Sequence, residues 1–569
     1  MTRIQILCAI FAFLSHSGGQ YVGEQVIVQT ANGQIKGVTQ QTRNGSFYNS
    51  FLGIRYAQAP VGELRFQPPK AVEPWDDVFD ATYEKGICYQ VTLDSDLETE
   101  DCLMLNLFTP AVNDPNAKLP VLVFIHGGGF VEGTGILEWG VGPNFFIDYN
   151  TIMIAINYRV GPFGFISTGD EVVPGNNGMK DQVLALQWVQ RNVQYFGGDP
   201  NKVTIFGQSA GAASVSYLLL SPKSVGLYRA AICESGSALS PWAYQRDQIN
   251  ITYMTAGYLN ADFKESRNST ALLAFLQSVS ATELDQASVN VTKKLSTTGN
   301  FQLSKGFYYT PVLEPEHGGA FLTRRMYESF ENGEFIRVPT LIGINSEESI
   351  FMLNRVLHRT LKEYDNDHKL MVPFDMHIAD EAVKQKVGDL IKQNYTPDIA
   401  WEYNKPRGIN FHSNQDFDKS IIKQAELQAP YVPVYFYEFT YHGEMNNNHR
   451  VLNGSTGVAH GDEQNYIFNR WFSQEIPDNT DLSVFPEADV RVHDRFMTLW
   501  TNFARELNPT PVQDEVLQNI IWPTVQPGQF RFLEISNDLI IRNEPPKNEM
   551  YAFWNELYET YATKPYDTF

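Results

Sequence analysis

Val203-Thr-Ile-Phe-Gly207-Gln208-Ser209-Ala210-Gly211 is the stretch on which the reading of the fold turns. A β-branched, apolar run enters Gly-x-Ser-x-Gly and leaves into 212–220, a stretch that favours helix. A strand that passes into a helix through so tight a turn strains the serine backbone. Glycines on either side remove side chains that would clash there. Ser209 Oγ is then expected to stand clear of the sheet at a helix N-terminus, where the helix dipole favours developing negative charge. The five-residue pattern alone recurs by chance; between a strand and a helix it specifies a nucleophilic serine.

Upstream, Val121-Leu-Val-Phe-Ile125 runs into His126-Gly127-Gly128-Gly129-Phe130. Consecutive glycines let the backbone approach a substrate closely and aim N–H groups at one point. The amides of Gly128, Gly129 and Ala210 are expected to form an oxyanion hole, in which loss of one donor typically raises the barrier by about 3 kcal/mol. His126 reads as a residue that shapes the loop.

Further nearly unbroken apolar runs predict strands at 104–108, 121–125, 152–157, 203–206, 229–233, 339–344, 432–439 and 530–535. Such runs suit strands buried on both faces. A helix is predicted over 180–196, with Ala185, Val189, Val193 and Phe196 at helical spacing and Gly197-Gly198 ending it. Strand, helix and strand in alternation imply a large, mostly parallel sheet covered by helices. The more polar segments at 250–335 and 350–430 are expected to be helical excursions capping that sheet.

A serine hydroxyl needs a neighbouring base at neutral pH. Among 11 histidines, His460 stands out within Gly457-Val-Ala-His460-Gly461-Asp462-Glu463, a small-residue loop beyond the 432–439 strand. An acid to orient that base is offered by Gly343-Ile-Asn-Ser-Glu347-Glu348, again after a strand. Chemistry alone leaves Glu347 and Glu348 equivalent. The order Ser, acid, His along the chain is that of α/β-hydrolases.

The chain has 569 residues, 43 % of them hydrophobic, and a formal net charge of −22. That acidity argues against a nucleic-acid partner, which would need clustered Lys and Arg. The N-terminus has a positive start, an apolar run over 4–14 and small or polar residues to Gly19, the pattern of a secretory signal peptide at 1–19. The run is shorter than the roughly 20 residues of a membrane span, and no lipid-anchor tail ends the chain. Residues 20–569 contain no linker or repeat that would divide them and are expected to form one domain. Export agrees with six Asn-x-Ser/Thr sequons, at Asn44, Asn250, Asn268, Asn290, Asn394 and Asn453. Cys88 and Cys102 flank an acidic, loop-like segment and could close a short disulfide; Cys233 lies in an apolar run as a free, buried thiol. No metal-ligand or cofactor motif is apparent, and nothing in the sequence sets an oligomeric state.

At these residues the sequence resembles the type-B carboxylesterase family, which includes the cholinesterases. Phe196 to Gly211 looks like the family's serine signature, and Glu100-Asp-Cys-Leu-Met-Leu-Asn106 like its second signature. The likeness continues through Phe51-Leu-Gly-Ile-Arg-Tyr-Ala57, Gly178-Met-Lys-Asp-Gln182 and Phe553-Trp554. It implies an α/β-hydrolase fold and ester hydrolysis through an acyl-enzyme, without a cofactor. It also implies Glu348 over Glu347, His460 as base, a Cys88–Cys102 bridge, an Arg65–Glu100 structural ion pair and Trp242 in the acyl pocket. Ser349 stands where the family usually has glycine.

Most members carry Glu before the nucleophile; here it is Gln208. Gly-Gln-Ser-Ala-Gly with the remaining motifs is similar to insect juvenile hormone esterases. Loss of that carboxylate disfavours cationic esters and implies neutral lipophilic ones: juvenile hormone, or odorant, pheromone or xenobiotic esters. A catalytically silent, neuroligin-like adhesion role is the competing class. Such relatives typically lose the serine and carry a membrane span, whereas this chain keeps the serine. A slow scavenger of ester toxins is a third reading, separable by kcat.

Overall fold

A computed structural model of the chain describes residues 23–90, 96–137, 140–297, 305–352, 355–446, 455, 457–469 and 480–569. The signal-peptide reading at 1–19 and the sequon at Asn453 lie outside these.

The centre is a 13-stranded mixed sheet. Its parallel core runs in the spatial order Ile152–Ile156, Leu119–Ile125, Gly198–Gln208, Ala230–Glu234, Thr340–Asn345, Val434–Phe439 and Phe532–Ile535. Antiparallel strands flank this core. Gln25–Thr30, Gly33–Gln41, Phe47–Arg55 and Met104–Thr109 lie on one side, and Leu539–Arg542 closes the other. All eight predicted strands are present. The first antiparallel strands escape a search for long apolar runs because Gln25–Thr30 holds only three apolar residues in a row, Gly33–Gln41 has isolated ones, and both are only half-buried.

Alternation along the core strands divides the interior between two faces. Val121, Val123 and Ile125 enter one hydrophobic cluster; Leu122 and Phe124 enter the other. The first cluster lies under helices Asn177–Asn192 and Ala210–Leu220, and the second under Glu487–Glu506, which contributes Phe496, Trp500 and Phe503. The predicted 180–196 helix is α-helical to Asn192, tightens to a 3-10 turn over Val193–Phe196 and ends on Gly197 at φ 80°. The excursions are helical as expected, with Gln248–Leu259, Ser269–Ser278 and Ala281–Thr297 in the first and Glu381–Tyr395 and Lys419–Gln428 in the second.

Two devices fasten the loops around the core. Cys88 and Cys102 are bonded across a separation of 14 residues, and Cys233 is free and buried. A bridge over so short a loop is worth about 3 kcal/mol through the unfolded chain. Arg65 pairs with Glu100, Nε to Oε2 at 2.6 Å, and also donates to the carbonyls of Leu276 and Val279. The ion pair expected from the resemblance therefore also ties the first excursion to the sheet. No described helix is long and apolar enough to cross a membrane.

Candidate active site

The elbow follows the steric argument. Ser209 sits at φ 60° and ψ −124°, between the Gly198–Gln208 strand and the Ala210–Leu220 helix. Its N–H donates to the Glu234 carbonyl at 2.9 Å, and its carbonyl accepts from Ala213 N–H at 2.9 Å. A Cβ on Gly207 would come within 2.6 Å of the Ile125 carbonyl oxygen, and one on Gly211 would overlap that same oxygen. Both glycines are required by close approach of the neighbouring strand end.

Gly128 and Gly129 take φ of 98° and 62°. The N–H groups of Gly128, Gly129 and Ala210 donate to no protein group among the described residues. They stand on the loop after Leu119–Ile125 and on the first turn of the helix after Ser209. His126 shapes this loop: its Nδ1 lies 2.9 Å from the Gly127 carbonyl and its ring stacks on Tyr158 at 4.3 Å. Burial depresses His126 to about 4, so it stays neutral and takes no part as a cation.

His460 Nδ1 lies 2.6 Å from Glu348 Oε2, with the Glu348 side chain fully buried and that of His460 14 % exposed. Glu348 Oε1 accepts from the backbone N–H of Asn345 at 2.8 Å. Glu347 turns away: it accepts from Ser455 Oγ and from Gly457 N–H at 3.2 Å. The two adjacent acids thus serve different elements. Ser349 has no left-handed backbone, so nothing in its conformation calls for the glycine usual in the family; its N–H donates to Ser413 Oγ at 3.0 Å. Ser209 Oγ makes no hydrogen bond among the described residues, His460 included; His460 Nε2 instead lies 3.2 Å from Gln208 Nε2.

Aromatic rings surround the imidazole. Phe417 and Phe351 lie 4.7 Å and 5.6 Å from His460. Trp242 joins them through Phe417 at 5.7 Å and Phe307 at 5.9 Å. Phe307 in turn approaches the position of a Cβ on Gly129 to 3.3 Å. Trp242 thus packs behind Phe417 and Phe307, and the ring against the histidine is Phe417. It is delivered by a π-helical turn, Ser413–Asp418, for which the sequence carries no signal.

A buried polar network, missed from sequence, holds these loops together. Asn345 Nδ2 donates to the Ala459 carbonyl at 2.7 Å and to Glu463 Oε2. Glu234, whose carbonyl holds Ser209, accepts 2.6 Å hydrogen bonds from Gln464 Nε2 and Trp500 Nε1. Burial, then the charge of Glu463, pushes Glu234 up to about 8; burial, then the charge of Glu348, pushes Glu463 up to about 7. A carboxyl raised on folding contributes stability that is complete below its unfolded value and is lost as pH rises through its folded one. The Tm of the wild type should accordingly fall between about pH 4.5 and about pH 8 more steeply than that of Glu234→Gln. Differential scanning calorimetry of the two proteins across that range checks this; parallel curves would remove Glu234 as the source.

Of the sequons, Asn44, Asn250 and Asn268 are exposed, while Asn290 and Asn394 are half-buried. No group of His, Cys, Asp and Glu among the described residues could hold a metal ion.

Residues 24–554 match the carboxylesterase family. The chain is 33 % identical over 563 residues to venom carboxylesterase-6 of Apis mellifera, covering 93 % of this chain and 94 % of the relative. It is 32 % identical over 524 residues to juvenile hormone esterase of Tribolium castaneum, covering 87 % and 86 %. Among solved structures, juvenile hormone esterase from Manduca sexta with OTFP covalently attached superimposes with a TM-score of 0.80 at 27 % identity, covering 94 % of this chain and all of the other. The mixed sheet, its covering helices and these matches agree: this chain has the α/β-hydrolase fold, belongs to the carboxylesterase family and is a carboxylic-ester hydrolase.

Proposed function

We propose that the chain is a secreted serine carboxylesterase acting through an acyl-enzyme on Ser209. The observation that carries the proposal is the 2.6 Å contact of His460 Nδ1 with the buried carboxylate of Glu348, beside a serine held in a left-handed turn. Glu348 keeps the ring proton on Nδ1, so Nε2 offers a lone pair. Ser209 Oγ bonds to the acyl carbon as its proton passes to Nε2, and the carbonyl π pair moves onto oxygen. The N–H groups of Gly128, Gly129 and Ala210 receive that oxyanion. Collapse breaks the carbon–oxygen bond to the alcohol, which leaves with the proton from His460. Water then repeats the sequence and frees the acid.

The substrates proposed are small neutral lipophilic esters, juvenile hormone among them. The aromatic wall of Phe351, Phe417, Trp242 and Phe307 supports an apolar partner, and the uncharged Gln208 removes an attraction for cations. Secretion rests on the leader at 1–19, the Cys88–Cys102 bridge and the exposed sequons; residues 20–569 are proposed as one catalytic domain.

An organophosphate should inactivate the enzyme stoichiometrically and label Ser209 by peptide mass spectrometry; label elsewhere would overturn the mechanism. Comparing kcat/KM for juvenile hormone, a short acetate ester and a naphthyl ester tests the substrate. Juvenile hormone loses its place if the naphthyl ester is turned over more efficiently.

A further inference from the structure

Gln208 has no step in the reaction above, yet its side-chain Nε2 lies 3.2 Å from Nε2 of His460. With the ring proton on Nδ1 against Glu348, Nε2 of the imidazole is an acceptor, and the amide N–H is the donor. Among the described residues Ser209 Oγ makes no hydrogen bond, so the amide and not the hydroxyl holds the lone pair. The amide lies between two glycines. A Cβ on Gly127 would come within 3.2 Å of Gln208 Oε1, and one on Gly461 within 3.5 Å of its Nε2. The first glycine opens the loop of the oxyanion amides and the second follows His460, so the slot joins the two halves of the site.

We infer that Gln208 is a positioning residue: its amide caps the proton-accepting nitrogen of His460 between turnovers, keeping the imidazole neutral and aligned until a bound ester brings Ser209 Oγ into its place. The inference rests on the serine mechanism proposed above. An N–H donor favours the unprotonated ring, whereas a carboxylate at the same distance would favour the imidazolium. The other groups facing the ring are Glu348 at Nδ1, Glu463 on the following 3-10 turn, and the apolar faces of Phe417 and Phe351. Behind Glu348 stands the Asp418–Lys547 ion pair at 2.6 Å. None of these changes on substitution at 208, so a shift in pH response reports the capping group.

The test is the pH dependence of kcat/KM for a neutral naphthyl ester in the wild type, Gln208→Met and Gln208→Glu, with thermal unfolding of each recorded in parallel. The acid limb is expected to move to higher pH in the order Gln, Met, Glu, by about one pH unit for Gln208→Glu. An acid limb that stays in place in both variants overturns the cap, whether or not rate or Tm falls, because a packing role would lower those without moving the limb. Organophosphate labelling separates the two levels. An unmoved limb with Ser209 still labelled refutes only the cap, while failure of the wild type to label at Ser209 refutes the serine mechanism beneath it.

Discussion

Replacing Ser209 with alanine is expected to lower kcat by about 10⁶-fold, leaving a residue of activity attributable to binding and the oxyanion amides. The substitution removes one oxygen from a side chain that makes no hydrogen bond among the described residues. The backbone bonds to Glu234 and from Ala213 use main-chain atoms and survive. The loss should therefore fall on chemistry and not on folding. Steady-state turnover of a naphthyl ester, alongside circular dichroism of both proteins, checks the pair of expectations. Turnover within tenfold of the wild type would remove Ser209 as nucleophile.

The second large effect separates two neighbouring acids. Glu348→Gln should lower kcat by about 10⁴-fold, whereas Glu347→Gln should cost less than about tenfold. In the first variant an amide can present its N–H to Nδ1, which moves the ring proton to Nε2 and removes the base. In the second, the affected partners among the described residues are Ser455 and Gly457, which hold a loop and not the imidazole. Equal losses in both variants, measured with the same ester, would show that the orienting role does not belong to Glu348.

Local features were the legible ones. The 121–125 run appears as Leu119–Ile125, and the Gly-x-Ser-x-Gly turn lies where its flanking strand and helix required. Both signals are written in short stretches of sequence, an apolar run and two glycines flanking the serine, although the group that demands the glycines, the Ile125 carbonyl, comes from another strand. The edge strands were not legible because their apolar runs are at most three residues long and only half-buried. The choice of Glu348 over Glu347 depended on resemblance, since both side chains are the same acid and only the fold directs one to His460 and the other to the 455–457 segment. Glu463 and Asn345 lay within quoted motifs without a visible role, because their partners belong to different loops. Phe417 was beyond reach: it is 43 residues from His460 in sequence and meets it through a π-helical turn.

The left-handed conformation of Ser209 has a consequence for the history of such a fold. A non-glycine residue held there costs about 1–3 kcal/mol, which the surrounding packing must offset. A lineage that abandoned hydrolysis could place glycine at this position and recover part of that energy. Loss of the reaction would then carry no folding penalty, and the scaffold would remain free to be recruited for binding alone.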